Sequence, residues 1–216
     1  MSRLPTPQQA WNEMARGNER FITGDPHHPR QGVDRRHELA GGQRPHAALF
    51  GCSDSRLAAE IIFDKGLGDL FVIRNAGQVV SDSVVGSIEY AVEILKVPLI
   101  VVLGHDECGA VSAAIDGTRV DADPLPPHIW RLIAPIVPAA RRVIRAQTVD
   151  GVPPAHVDAE RVGREHLRDT VAELLHSSEL ISQAIAENRL GIVAANYRLA
   201  EGRAVPSISL GVTTDA

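Results

Sequence analysis

The sequence predicts an α/β fold: a mostly parallel central sheet with helices packed around it, preceded by an N-terminal helical arm. Three observations carry this expectation. Four short apolar runs, Ala47–Phe50, Leu70–Ile73, Leu99–Leu103 and Leu190–Ala195, have the length and content of buried strands. Segments with helical spacing of apolar residues separate them, the alternation that builds parallel sheets. The chain has 216 residues, 44% hydrophobic and 23% charged, an ordinary composition for one globular domain with a sizeable core.

The elements follow in order. Thr6-Pro7 is an N-cap with proline at the first helical position, and Trp11, Met14, Phe21 and Ile22 recur behind it, so residues 7–22 form an amphipathic helix. Gly24-Asp-Pro-His-His-Pro29 ends that helix, and a short helix at 34–40 stops at Gly41-Gly42. The first strand runs into Gly51-Cys52, a helical turn covers 58–63, and the second strand ends at Arg74-Asn-Ala-Gly77. A helix at 83–95 presents Val84, Val85, Ile88, Val92 and Leu95 on one face. The third strand runs into Gly104-His105. Prolines punctuate 119–155, where one helix is expected near 128–147. Helices at 158–176 and 178–188 precede the fourth strand, and residues 197–210 read as a strand turning back at Glu201-Gly202. With no repeat, linker or low-complexity segment, residues 1–216 form one domain: a helical arm and loop over 1–44 and an α/β core over 45–216.

A net charge of −5 with scattered basic residues argues against nucleic acid, and Arg141, Arg142 and Arg145 read as the solvated face of a helix. No apolar run approaches the roughly 18 residues of a membrane span, and no apolar signal segment opens the chain, so a cytoplasmic protein is expected. In a reducing compartment the two cysteines, Cys52 and Cys108, are better suited to metal or chemistry than to a disulfide.

Cys52 and His105 each follow a predicted strand, and the crevice beyond strand carboxyl ends is where open α/β sheets bind ligands. Cys108 lies three residues past His105, a spacing that lets both side chains face one metal across a turn or helix start. Two thiolates and an imidazole suit the borderline-soft, tetrahedral preference of zinc, one ion per chain. A redox pair is the rival reading, disfavoured because the cysteines are not in a Cys-X-X-Cys arrangement. Three ligands leave one position for water, as in catalytic sites, or for a fourth residue. Asp54 is the nearby candidate, and Arg56 is placed to pair with it. The remaining histidines, His27, His28, His37, His46, His128, His156, His166 and His176, read as surface or local-structure residues.

Cys52-Ser-Asp-Ser-Arg56, Phe71-Val-Ile-Arg-Asn75, Ile88-Glu-Tyr-Ala91 and Gly104-His-Asp-Glu-Cys-Gly109 together closely resemble the β-class carbonic anhydrases, in that family's order and spacing, from about Ala10 to Tyr197. The resemblance implies reversible hydration of carbon dioxide to bicarbonate by hydroxide attack at zinc held by Cys52, His105 and Cys108. It implies an Asp54–Arg56 pair that orients the hydroxide, with Asp54 an alternative fourth ligand in a closed state. It further implies Gln43 as a hydrogen-bond donor to substrate, Phe71 and Tyr90 as pocket walls contributed partly by a neighbouring subunit, and a Gly109 N–H near the site. A homodimer or homotetramer is expected, with the 7–22 helix packing on a neighbour. One departure stands out. Some bacterial members hold an inhibitory bicarbonate with a tryptophan, an arginine and a tyrosine. Arg74 and Tyr197 match, but Leu49 stands at the tryptophan's place and lacks the indole donor, so that regulatory site is expected to be absent or altered. Two rival functions stay open: hydrolysis of a related small substrate such as carbon disulfide, and a non-catalytic zinc-stabilised protein.

Overall fold

The computed structural model describes residues 4–214; the first three and last two residues of the expected domain lie outside the described residues. Five strands form one sheet in the order β2-β1-β3-β4-β5: β1 Ala47–Cys52, β2 Leu70–Asn75, β3 Leu99–His105, β4 Gly191–Arg198 and β5 Arg203–Leu210. The first four pair in parallel, and β5 returns antiparallel from β4. β1 and β3 are buried along their whole length, which explains their unbroken apolar sequences. The chain leaves β1 toward β2 on one side and reaches β3 on the other. This places the topological switch point, where such sheets open a crevice, between the ends of β1 and β3.

One face of the sheet is covered by α1 (Pro7–Thr23), α3 (Ala59–Ile62), α5 (Gly109–Asp116) and α7 (Val137–Gln147), once α2 (Val33–Glu38) has been passed. The other is covered by α4 (Asp82–Glu89), α8 (Ala159–Ser177) and α9 (Glu179–Ala186); α6 (Pro127–Ile133) lies between α5 and α7 in sequence. No helix among the described residues is long and apolar enough to cross a membrane.

Most expected elements are present, with instructive differences. The first three strands run two residues further than expected, so Cys52 and His105 are their last residues. The expected 83–95 helix is α4 followed by a wider turn over Tyr90–Ile94. The 128–147 helix is two helices joined by a tight turn at Ala134–Ile136, because Pro135 and Pro138 cannot donate to the preceding turn. For α5, only a turn or helix start at Cys108 was expected, and no helix was assigned to the residues beyond it.

The N-terminal helix is present as α1, one residue longer than expected. Thr6 and Gln9 close a reciprocal capping box, Thr6 Oγ1 accepting from Gln9 N at 3.2 Å and Gln9 Oε1 from Thr6 N at 2.9 Å. α1 buries Trp11 and Met14 against its own core. Asn18 fixes it there: its amide donates to the carbonyls of Ile62 and Gly202, and its Oδ1 accepts from Ala204 N at 2.9 Å.

Candidate metal centre

Cys52 at the end of β1 and His105 at the end of β3 face each other across the switch point, and Cys108 caps the start of α5. The three side chains are buried, and one ligand atom from each lies within 4.8 Å of the others. Bonds of about 2.0–2.3 Å in a tetrahedron put ligand atoms about 3.3–3.8 Å apart, so little movement separates this triad from a coordinated state. His105 Nδ1 is 2.7 Å from the Asp106 carbonyl, which only accepts, so Nδ1 carries the proton. Its Nε2 is then a bare lone pair, buried and without a hydrogen-bond partner. An orphaned imidazole nitrogen beside two cysteine sulfurs is the state expected of a metal ligand, and the donor set suits zinc.

The two sulfurs share a proton unequally. Cys52 is held well below the ordinary thiol range, chiefly by the hydrogen bond from Cys108, against the opposing effect of burial; the neighbouring His105 imidazole and then the N–H groups of Gly77 and Asp54 assist. That same bond, then burial, pushes the Cys108 thiol up, while the N–H groups of Val111 and Ala110 at the start of α5 oppose it. A cation replacing that proton would let both sulfurs bind as thiolates.

Asp54 and Arg56 form the expected pair. Asp54 Oδ1 accepts from Arg56 N and Nε, both at 2.9 Å, and Oδ2 accepts from Arg56 Nη2 at 2.7 Å. Arg56 holds the Asp54 carboxyl far below the usual range, its side-chain bonds outweighing partial burial. Asp54 is not among the residues whose ligand atoms converge; its carboxylate is turned onto Arg56. Arg56 Nη2 also reaches the Glu107 carbonyl at 3.2 Å, strapping the loop after β1 to the one after β3. Glu107 itself sits at φ 50, the left-handed conformation that turns the chain between His105 and Cys108.

The other expected residues separate into near and far. Gly109 is the exposed first residue of α5, next to Cys108, and a side chain there would meet nothing, so space does not demand glycine. Phe71 and Tyr90 stack on each other, ring centroids 6.1 Å apart, but away from the triad. Phe71 pairs with Ala48 while Cys52 pairs with Asn75, so Phe71 lies about 13 Å back along the strands. It packs with the opposite core layer from Cys52 and Cys108. Gln43 is exposed, ahead of the start of β1, whose end carries Cys52 about 17 Å further on. Arg74 donates to the carbonyls of Cys52 at 2.9 Å and Asp54 at 2.6 Å, and Leu49 and Tyr197 are buried in the core.

One residue near the centre escaped the sequence reading. His166, expected at the surface or in local structure, is 3% exposed and bonded to the loop that contacts Cys52. The signal was present: with Val162 and Thr170 it falls on the i, i+4, i+8 stripe of α8 that faces inward.

Residues 47–204 match the family model described as Carbonic anhydrase. A protein named Carbonic anhydrase 2 from Mycobacterium tuberculosis (strain CDC 1551 / Oshkosh) is 50% identical over 203 residues, covering 92% of each chain. A Carbonic anhydrase from Mycolicibacterium smegmatis is 46% identical over 197 residues, covering 91% of each. Among solved structures, one of two tetrameric β-carbonic anhydrases from Sordaria macrospora is similar with a TM-score of 0.65 at 29% identity, over 81% of this chain and 86% of that one.

Proposed function

This chain belongs to the carbonic anhydrase family, in its β class, and from that membership we propose that it interconverts carbon dioxide and bicarbonate at a zinc ion held by Cys52, His105 and Cys108. The observation that carries the reading is the buried, unpartnered Nε2 of His105 beside the two cysteines. Zinc, when bound, supplies the Lewis acidity that brings a water's ionisation toward neutral pH. Two thiolates donate more charge than neutral imidazoles would, so a mildly alkaline activity optimum is expected.

The chain's own residues do the rest. Asp54 stays ionised because Arg56 bonds both its oxygens, and Oδ2, with one donor from Arg56, keeps a lone pair for the nucleophile's O–H. That bond turns the nucleophile toward carbon dioxide and discourages the free rotation that makes attack slow. Arg56 fixes the angle at which Asp54 acts, and its reach to Glu107 keeps the two ligand loops together.

The walls of the pocket come from a second copy. Gln43, Phe71 and Tyr90 sit too far back along the sheet to meet the triad of their own chain. Tyr90, which stacks on Phe71 of β2, is 47% exposed and Ile94 62%, and among the described residues the outer edge of β2 has no partner strand. An exposed apolar strip along a free edge is a natural contact between copies. There Phe71 and Tyr90 supply an apolar wall for a small apolar substrate, and Gln43 a donor for the charge that develops on its oxygen.

Stopped-flow measurement of carbon dioxide hydration by zinc-loaded protein tests the reading. Hydration is expected, with Asp54→Asn about a hundredfold slower at unchanged zinc content. No hydration between about pH 6 and about pH 9, where zinc-activated water is ionised in such sites, would sink it.

A further inference from the structure

His166 is a costly residue for an inward-facing position of α8. Burial pushes its imidazole below the ordinary value, so it stays neutral, and its Nδ1 is buried without a partner. A leucine would fill the same stripe without leaving a polar atom unsatisfied. What the histidine gains is one bond: Nε2 lies 2.7 Å from the Gly77 carbonyl. A carbonyl only accepts, so Nε2 carries the proton and donates.

Gly77 also touches the metal centre, donating its N–H to Cys52 Sγ at 3.3 Å. It sits at φ 82, and a Cβ there would lie 2.8 Å from Ala110 Cβ and 2.9 Å from Ile136 Cδ1. Space and backbone geometry therefore both require glycine. Glycine is equally the residue freest to rotate its flanking peptides, so the N–H on Cys52 needs an outside anchor. Asn75 brackets the loop from one side, its amide donating to Val79 O at 2.7 Å and its Oδ1 accepting from Val79 N at 2.8 Å. His166 holds Gly77 itself.

We propose that His166 is a positioning residue for the metal centre: by tying down the Gly77 carbonyl it keeps the Gly77 N–H aimed at Cys52 Sγ. The inference rests on the reading of Cys52, His105 and Cys108 as metal ligands. An N–H donated to a thiolate withdraws charge from the sulfur and fixes its direction, as partners of ligands do in metal sites generally. Without the tether the loop relaxes, the bond lengthens, and the sulfur becomes more electron-rich and less well aimed.

Full-length protein loaded with cobalt(II) tests this, as wild type, His166→Ala and His166→Gln. Wild type is expected to show sulfur-to-cobalt charge-transfer absorption. In His166→Ala that band moves to longer wavelength, because an unbonded thiolate is easier to ionise, and cobalt affinity falls about tenfold or more. His166→Gln, which carries an N–H able to reach the same carbonyl, keeps both near wild type. A folded alanine variant with wild-type band position and affinity would overturn the proposal, as would a glutamine variant that behaves like alanine. Should the alanine variant fail to fold, wild-type protein loaded with cadmium-113 decides by NMR. The Gly77 amide proton is expected to couple to the metal through Cys52, with His166 protonated on Nε2; absence of either overturns the assignment. Failure of wild type to take up cobalt or cadmium at all is a different result: it removes the metal reading, and this inference with it.

Discussion

Asp54 and Arg56 illustrate how much a short sequence motif can decide when both partners lie on one loop. Asp54 accepts three bonds from Arg56, two of them through a planar guanidinium that matches a carboxylate. Arg56→Lys keeps the charge but loses the fork, and kcat is expected to fall about tenfold to a hundredfold with zinc content unchanged. The pH dependence is informative here. Arg56 depresses the Asp54 carboxyl, so weakening the pair lets its pKa climb back toward the ordinary 3.8. Even there Asp54 stays ionised above about pH 6, so the lysine variant should be slower without any displacement of the rate profile's acid limb. A displaced limb, measured by stopped flow, would mean that Asp54 exchanges a proton rather than orienting the nucleophile. Arg74 acts in the same neighbourhood, holding the carbonyls of Cys52 and Asp54.

At the scale of elements, the centre depends on strand ends meeting helix starts, and on helices pressed hard against the sheet. The approach is closest where α1 crosses the end of α3: a Cβ at Gly17 would lie 1.9 Å from the Phe63 carbonyl oxygen. Backbone cannot move aside as a side chain can, so Gly17→Ala is expected to cost about 1–3 kcal/mol. In thermal unfolding that lowers Tm by about 3–10 °C; an unchanged Tm would show that α1 is not seated as described. The elements legible in the sequence were those with a clear period or a clear stop: α1 with its Thr6-Pro7 start, and the apolar strands. Helix α5 was not legible, because Gly109-Ala-Val-Ser-Ala-Ala-Ile-Asp116 alternates small and apolar residues with little polar contrast. His166 was misread because histidine is ordinarily a surface residue, and its place on an inward stripe emerges only when α8 is laid on the sheet.

At the scale of the whole molecule, the proposed function divides the site between copies: on that reading one chain holds the metal and another supplies the pocket. The separation along β1 and β2 is a matter of strand rise and is not bridged by side-chain motion. Chains carrying Gln43→Ala and chains carrying Cys108→Ser are each expected to be nearly inactive as pure assemblies. Co-expressed in equal amounts they should recover about a quarter of wild-type activity per chain, since half of randomly formed pairs are mixed and each mixed pair has one intact site. Recovery no greater than the sum of the separate variants, measured by stopped flow, would place Gln43 in its own chain's site instead.

What the sequence determined by itself was chemical: the α/β alternation, the candidate ligand set Cys52, His105 and Cys108, and the Asp54–Arg56 pair. These were legible because strands and ligand motifs are local in the chain, and a residue's donor chemistry does not depend on its neighbours. The tertiary structure decided everything that depends on distance. It brought the ends of β1 and β3 together at a switch point, carried Gln43, Phe71 and Tyr90 away from it, and folded α1 onto its own core. It also set His166 behind Gly77. Sequence spacing does not measure such separations, because they are fixed by how strands register and which faces the helices cover.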